Sequence, residues 1–125
     1  MIWTLSQVAL GGAIGASMRY LSNVTAGRLL GHGFPYGTIF VNVLGSFAMG
    51  VLIVTMAHKG GNRFAPLLAT GVLGGFTTFS AFSLDSFTLW ERGDITTAIL
   101  YVAGSVILSL AALAVGVYLS REIFA

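Results

Sequence analysis

At 125 residues, 56% hydrophobic and 8% charged, with a mean hydropathy of +0.91, the chain has too little polar surface to enclose a water-soluble core. The absence of cysteine removes disulfides, thiolate metal sites and cysteine nucleophiles. The pI near 9.4 reflects a net charge of +2 from six scattered Lys and Arg residues, which form no phosphate-binding patch, so nucleic acid is not an expected partner.

A membrane-spanning helix needs about 20 mainly apolar residues. The first such stretch covers residues 2–30. It lacks a basic n-region and carries Arg19 and Arg28 late in a long run, so it reads as a retained helix and not as a cleaved signal peptide. Gly11 with Gly15, and Gly12 with Ala16, stand at the small-xxx-small spacing that lets helix backbones approach closely. After a turn at residues 31–35 the second stretch, 36–57, repeats Asn42, Ser46 and Gly50 at every fourth position. Gly60 and Gly61 mark the next turn, at residues 58–63.

The third stretch, residues 64–90, carries Gly71, Gly74 and Gly75 just ahead of Phe76, Thr77, Thr78, Phe79, Ser80, Ala81, Phe82 and Ser83. These glycines weaken a helix. The middle residue of the span is Thr77, which predicts a break near the bilayer midplane. Backbone groups freed at that depth must be satisfied by protein, water or an ion. Two readings stay open: the glycines serve close packing alone, or the freed carbonyls hold a hard cation such as Na⁺. The last stretch, 95–120, follows a short charged turn and aligns Tyr101, Ser105 and Ser109 on one face. The expectation is an all-α membrane protein with four transmembrane helices, the third broken, forming a single domain over residues 1–125.

Lys and Arg show no side preference. Four spans put Lys59, Arg63 and Arg121 on one side and Arg28 and Arg92 on the other, with Arg19 buried in that second half. Insertion in both orientations, giving an antiparallel dual-topology homodimer, stands beside the alternative that so small a count is noise. The polar stripes on the second and fourth stretches are too polar for lipid and require partners or a wet cavity. Phe79 and Phe82, at i and i+3, present electropositive ring edges, while Asn42, Tyr101, Ser105 and Ser109 supply donors for a small dehydrated anion.

Residues 37–47 (Gly-Thr-Ile-Phe-Val-Asn-Val-Leu-Gly-Ser-Phe), residues 74–83 (Gly-Gly-Phe-Thr-Thr-Phe-Ser-Ala-Phe-Ser) and the Gly-rich first stretch ending in Arg19 resemble the CrcB/Fluc family of small fluoride channels. The resemblance covers essentially the whole chain. It implies a passive channel that exports fluoride through two antiparallel pores of a homodimer in a bacterial inner membrane, with a structural central Na⁺. By the same resemblance Asn42, Phe79, Phe82 and Ser109 look like pore-lining residues, and Tyr101 and Ser105 extend a polar track. Gly74 and Thr77 look like carbonyl donors to Na⁺, and Arg19 like a vestibule cation. Ala81 and Asp85 stand where the family commonly has threonine and glutamate.

Two other membrane functions remain for comparison. A proton-coupled drug exporter needs a membrane-embedded carboxylate, yet of Asp85, Glu91, Asp94 and Glu122 only Asp85 lies at any depth. An accessory subunit would use the polar stripes as partner contacts. An enzyme is the poorest fit, since His32 and His58 sit at turn edges without a base, nucleophile or metal partner.

Overall fold

The computed structural model describes all 125 residues, Met1 to Ala125. Every regular element is helical: α1 (Ile2–Leu30), α2 (Tyr36–Lys59), a π-helical segment (Pro66–Leu73), α3 (Gly74–Phe76), α4 (Ser80–Glu91) and α5 (Ile95–Ile123). Local chemistry sets the ends. Gly60 closes α2 in the left-handed conformation (φ 70°), with its N–H donating to the Met56 carbonyl. Pro35 immediately precedes α2, and Pro66 opens the π-helical segment, where a missing N–H costs no helical bond.

The helices run alternately up and down. At one end the Gln7 amide donates to the Arg63 carbonyl (3.2 Å), and the His58 and Phe124 rings stack at 4.4 Å. At the other, Arg92 donates to the Gly33 carbonyl (2.9 Å) and pairs with Asp94 (3.3 Å). Residues 2–7, 58–63 and the C-terminus therefore share one end, and residues 31–35 and 92–94 the other.

Glycines set the interhelical distances. A Cβ on Gly50 would lie 3.0 Å from the Val117 nitrogen, and one on Gly116 3.2 Å from the Val51 nitrogen, so α2 and α5 meet backbone to backbone. Likewise α1 lies against the Pro66–Phe76 stretch: a Cβ on Gly11 would stand 2.8 Å from the Gly71 Cα, and one on Gly75 2.9 Å from the Gly12 carbonyl. Both contacts follow the small-residue logic of helix packing in lipid.

Only 17 of 125 residues are buried, and Gln7, Thr38, Ser105 and Ser120 are among them, while Leu10, Ile14, Leu100, Ile107 and Leu110 face outward. An aliphatic exterior around an interior that mixes these polar groups with Val41, Phe76, Phe82 and Leu89 suits a hydrocarbon solvent. Three stretches are long and apolar enough to cross a membrane: Tyr36–Lys59, Pro66–Glu91 and Ile95–Ile123. The chain is a multi-pass membrane protein. The stretch Ile2–Leu30 has the length but not the composition, because Gln7, Arg19, Asn23 and Arg28 dilute it.

Candidate functional site

Between α3 and α4 the backbone leaves the helix. Thr77 is extended (φ −83°, ψ 160°), and α4 begins at Ser80. The stretch is held from α2 by one side chain. Asn42 Nδ2 donates to the Thr78 carbonyl (2.9 Å), and the Thr78 N–H donates to Asn42 Oδ1 (2.7 Å). The amide thereby replaces both backbone partners of one residue, Thr78, and a side chain without both a donor and an acceptor cannot do this. Thr78 Oγ1 accepts from the Ala81 N–H (3.2 Å), capping α4 in the manner of a helix N-terminus.

This turn brings Phe82 against α5 and sets Phe79 beside it. Their ring centroids are 5.5 Å apart, and Phe82 lies 5.4 Å from Tyr101. A cavity of about 370 Å³ opens beside them, and its lining includes Asn42, Phe79, Phe82, Ser105 and Ser109. Five of the six residues expected to line a pore therefore meet at one cavity. The sixth, Tyr101, is fully buried behind Phe82. Ser105 Oγ is buried without a hydrogen-bond partner, a costly state that a bound polar species would relieve.

Beyond Tyr101 lies a group that sequence reasoning missed. Asp85 Oδ2 accepts from Thr38 Oγ1 (2.7 Å) and from the Tyr101 hydroxyl (3.0 Å). Thr38 and Asp85 also line a second, more polar cavity of about 260 Å³ that reaches His32 and Arg92. The Thr38–Asp85–Tyr101 cluster thus stands between the two cavities. Thr38 falls one helical turn before Asn42 on the same stripe, and Asp85 three residues after Phe82; those spacings were the available signal.

Arg19 stands apart from both cavities. Its Nε donates to the Gly75 carbonyl at 2.9 Å. No turn, loop or side-chain hydrogen bond reaches the carbonyls of Gly74 or Thr77: the Thr78 N–H that would serve Gly74 in a helix goes to Asn42. No three His, Asp or Glu side chains converge, so any cation here would have to be held by backbone oxygens of this kind.

Residues 6–117 match the family described as CrcB-like protein, Camphor Resistance (CrcB). The chain belongs to the CrcB-like family. Three relatives are each named fluoride-specific ion channel FluC. The protein of Paracoccus denitrificans is 59% identical over 98% of both chains. That of Cereibacter sphaeroides is 66% identical over 93% of both. The Chelativorans protein is 56% identical over 98% of this chain and 99% of its own. The resemblance read from residues 37–47 and 74–83 is thereby established, and these CrcB-like relatives are named as ion channels, not enzymes.

Proposed function

We propose that this chain is a passive, fluoride-selective channel of the bacterial inner membrane, working as an antiparallel dual-topology homodimer with two pores and relieving cytoplasmic fluoride. The observation that carries the reading is the Asn42–Thr78 clamp, which sets Phe79 and Phe82 opposite Ser105 and Ser109 across one cavity. Relatives of 59% and 66% identity named for fluoride conduction support the choice of ion.

The chemistry follows from fluoride's tight hydration. A narrow passage must return what water supplied and exclude larger anions by fit. Ser105 and Ser109 provide hydroxyl donors, and Asn42 keeps one amide hydrogen beyond its bond to Thr78. The ring edges of Phe79 and Phe82 add positive potential without a competing charge. Tyr101 extends the polar track toward Asp85, and the partly exposed Arg19 adds the positive potential of a vestibule. Asn42 and the phenylalanines, not Arg19, dominate selectivity in this scheme.

Four membrane crossings in one domain are part of the proposal. At about 1.5 Å per residue α1 is long enough to span. Inside the bundle Gln7 Nε2 donates to Arg63 and Arg19 to Gly75, while Leu5, Leu10, Ile14 and Met18 face out. Dimerisation is supported by Phe79, 77% exposed beside a polar turn, and by the exposed Gly74. The third span, interrupted at Thr77, offers unpartnered carbonyls at Gly74 and Thr77, a donor set that suits Na⁺. Bound there, Na⁺ would be held by the Gly74 and Thr77 carbonyls and would supply a fixed positive charge.

Efflux from proteoliposomes holding only the purified chain, with valinomycin carrying balancing K⁺, tests the function. Rapid fluoride release with chloride retained is the expected result. Retention of both ions by folded, dimeric protein overturns the channel reading in favour of an accessory subunit.

A further inference from the structure

Backbone carbonyls lose their helical donors where α3 stops at Phe76 and α4 has yet to begin. Those of Gly74 and Gly75 would be served by the N–H groups of Thr78 and Phe79, which lie outside the helix, and Thr77 is extended. They are not treated alike. Gly75 is taken by Arg19 Nε and Thr78 by Asn42 Nδ2, whereas no turn, loop or side-chain bond reaches Gly74 and Thr77.

The geometry of α1 explains why Arg19 can do this. Gly12, Gly15, Ala16 and Arg19 share one helical face. At Gly75 a Cβ would be 2.9 Å from the Gly12 carbonyl and 3.1 Å from the Ala16 nitrogen; at Gly15 it would be 2.9 Å from the Phe76 nitrogen. Backbone contact this tight fixes the Arg19 Cα relative to the turn, so the guanidinium meets one particular carbonyl.

We propose that Arg19 is a positioning residue: by holding the Gly75 carbonyl, it keeps the neighbouring Gly74 and Thr77 carbonyls free and oriented for the sodium ion. This rests on the sodium reading above. It assigns Arg19 a task that its charge alone does not perform, because a cation beside a cation site opposes binding. The two roles therefore predict opposite signs. If Arg19 acts by charge alone, Arg19→Gln removes repulsion and sodium binds more tightly. If it positions the turn, Arg19→Gln loosens sodium despite the lost repulsion. Arg19→Lys keeps the charge but lacks the planar Nε–H, and it loosens sodium as well.

The experiment titrates NaCl, at constant ionic strength with KCl, against dimerisation of the full chain in detergent, followed by energy transfer between labelled copies. Amide hydrogen exchange over residues 74–81 is read on the same samples. The expected result is a sodium midpoint raised at least tenfold in both variants, with faster exchange at Thr77 and Thr78 and helical content unchanged. Tighter sodium response in Arg19→Gln, or Arg19→Lys matching the unaltered chain in both readouts, overturns the proposal. Dimerisation of the unaltered chain that ignores sodium overturns the sodium reading, and the proposal with it; that outcome is visible before any variant is made.

Discussion

Ser105 separates stability from function at a single atom. Its buried Oγ has no partner, a state that costs about 1–3 kcal/mol. A residue kept for packing would not carry that penalty. Ser105→Ala is therefore expected to leave thermal stability unchanged or raised, while fluoride efflux falls at least tenfold. A fall in stability together with unchanged efflux would contradict the pore assignment. The Thr38–Asp85–Tyr101 cluster offers a second test. Both hydroxyls donate to one carboxylate oxygen, so either can cover for the loss of the other. Thr38→Val and Tyr101→Phe together are expected to cost about 0.5–3 kcal/mol more than the sum of the single changes, as read by denaturation in a double-mutant cycle. Strict additivity would mean that the two hydroxyls act independently. Sequence placed Tyr101 on its stripe but did not pair it with Asp85, because the pairing spans α4 and α5.

At the scale of elements, small residues decide how closely the helices approach. The atoms facing Gly75 and Gly116 are backbone atoms of α1 and α2, which cannot swing aside as a flexible side chain would. Gly75→Ala and Gly116→Ala are each expected to destabilise by about 1–3 kcal/mol through overpacking. Thermal unfolding in detergent checks this, and a stabilised Gly75→Ala, the outcome expected for an unconstrained helical glycine, would refute the close contact. The Gly11/Gly15 and Gly12/Ala16 spacing announced that α1 makes such a contact. It did not announce the partner, which turns out to be the π-helical segment and α3, because that depends on which helices the turns bring side by side.

For the whole molecule, charge at the helix ends bears on orientation. Lys59, Arg63 and Arg121 lie toward one end and Arg28 and Arg92 toward the other, a split with no clear excess on either side. Since the chain has no native cysteine, Ala125→Cys gives a single thiol at the terminus. In intact cells a membrane-impermeant maleimide is expected to label about half of the copies, with the remainder reacting only after permeabilisation, because a Lys and Arg bias near zero lets the proposed dual insertion put either end outside. Labelling confined to one side would rule out the antiparallel dimer.

Composition alone placed the chain in a membrane, since 56% hydrophobic residues leave no soluble alternative. The glycine, threonine and phenylalanine string carried the resemblance to its family, because a contiguous run of residues is legible without knowledge of how the helices pack. Local patterns carry such information well: the stripes Asn42–Ser46 and Tyr101–Ser105–Ser109 are fixed by helical periodicity. Only the tertiary structure decided what each polar group does. It gave both ends of the Asn42 amide to Thr78, assigned Arg19 to Gly75, and set Asp85 between Thr38 and Tyr101. Each of these bonds joins residues 16 to 56 positions apart. Such pairings depend on how the helices pack, and no periodicity within a single helix encodes them.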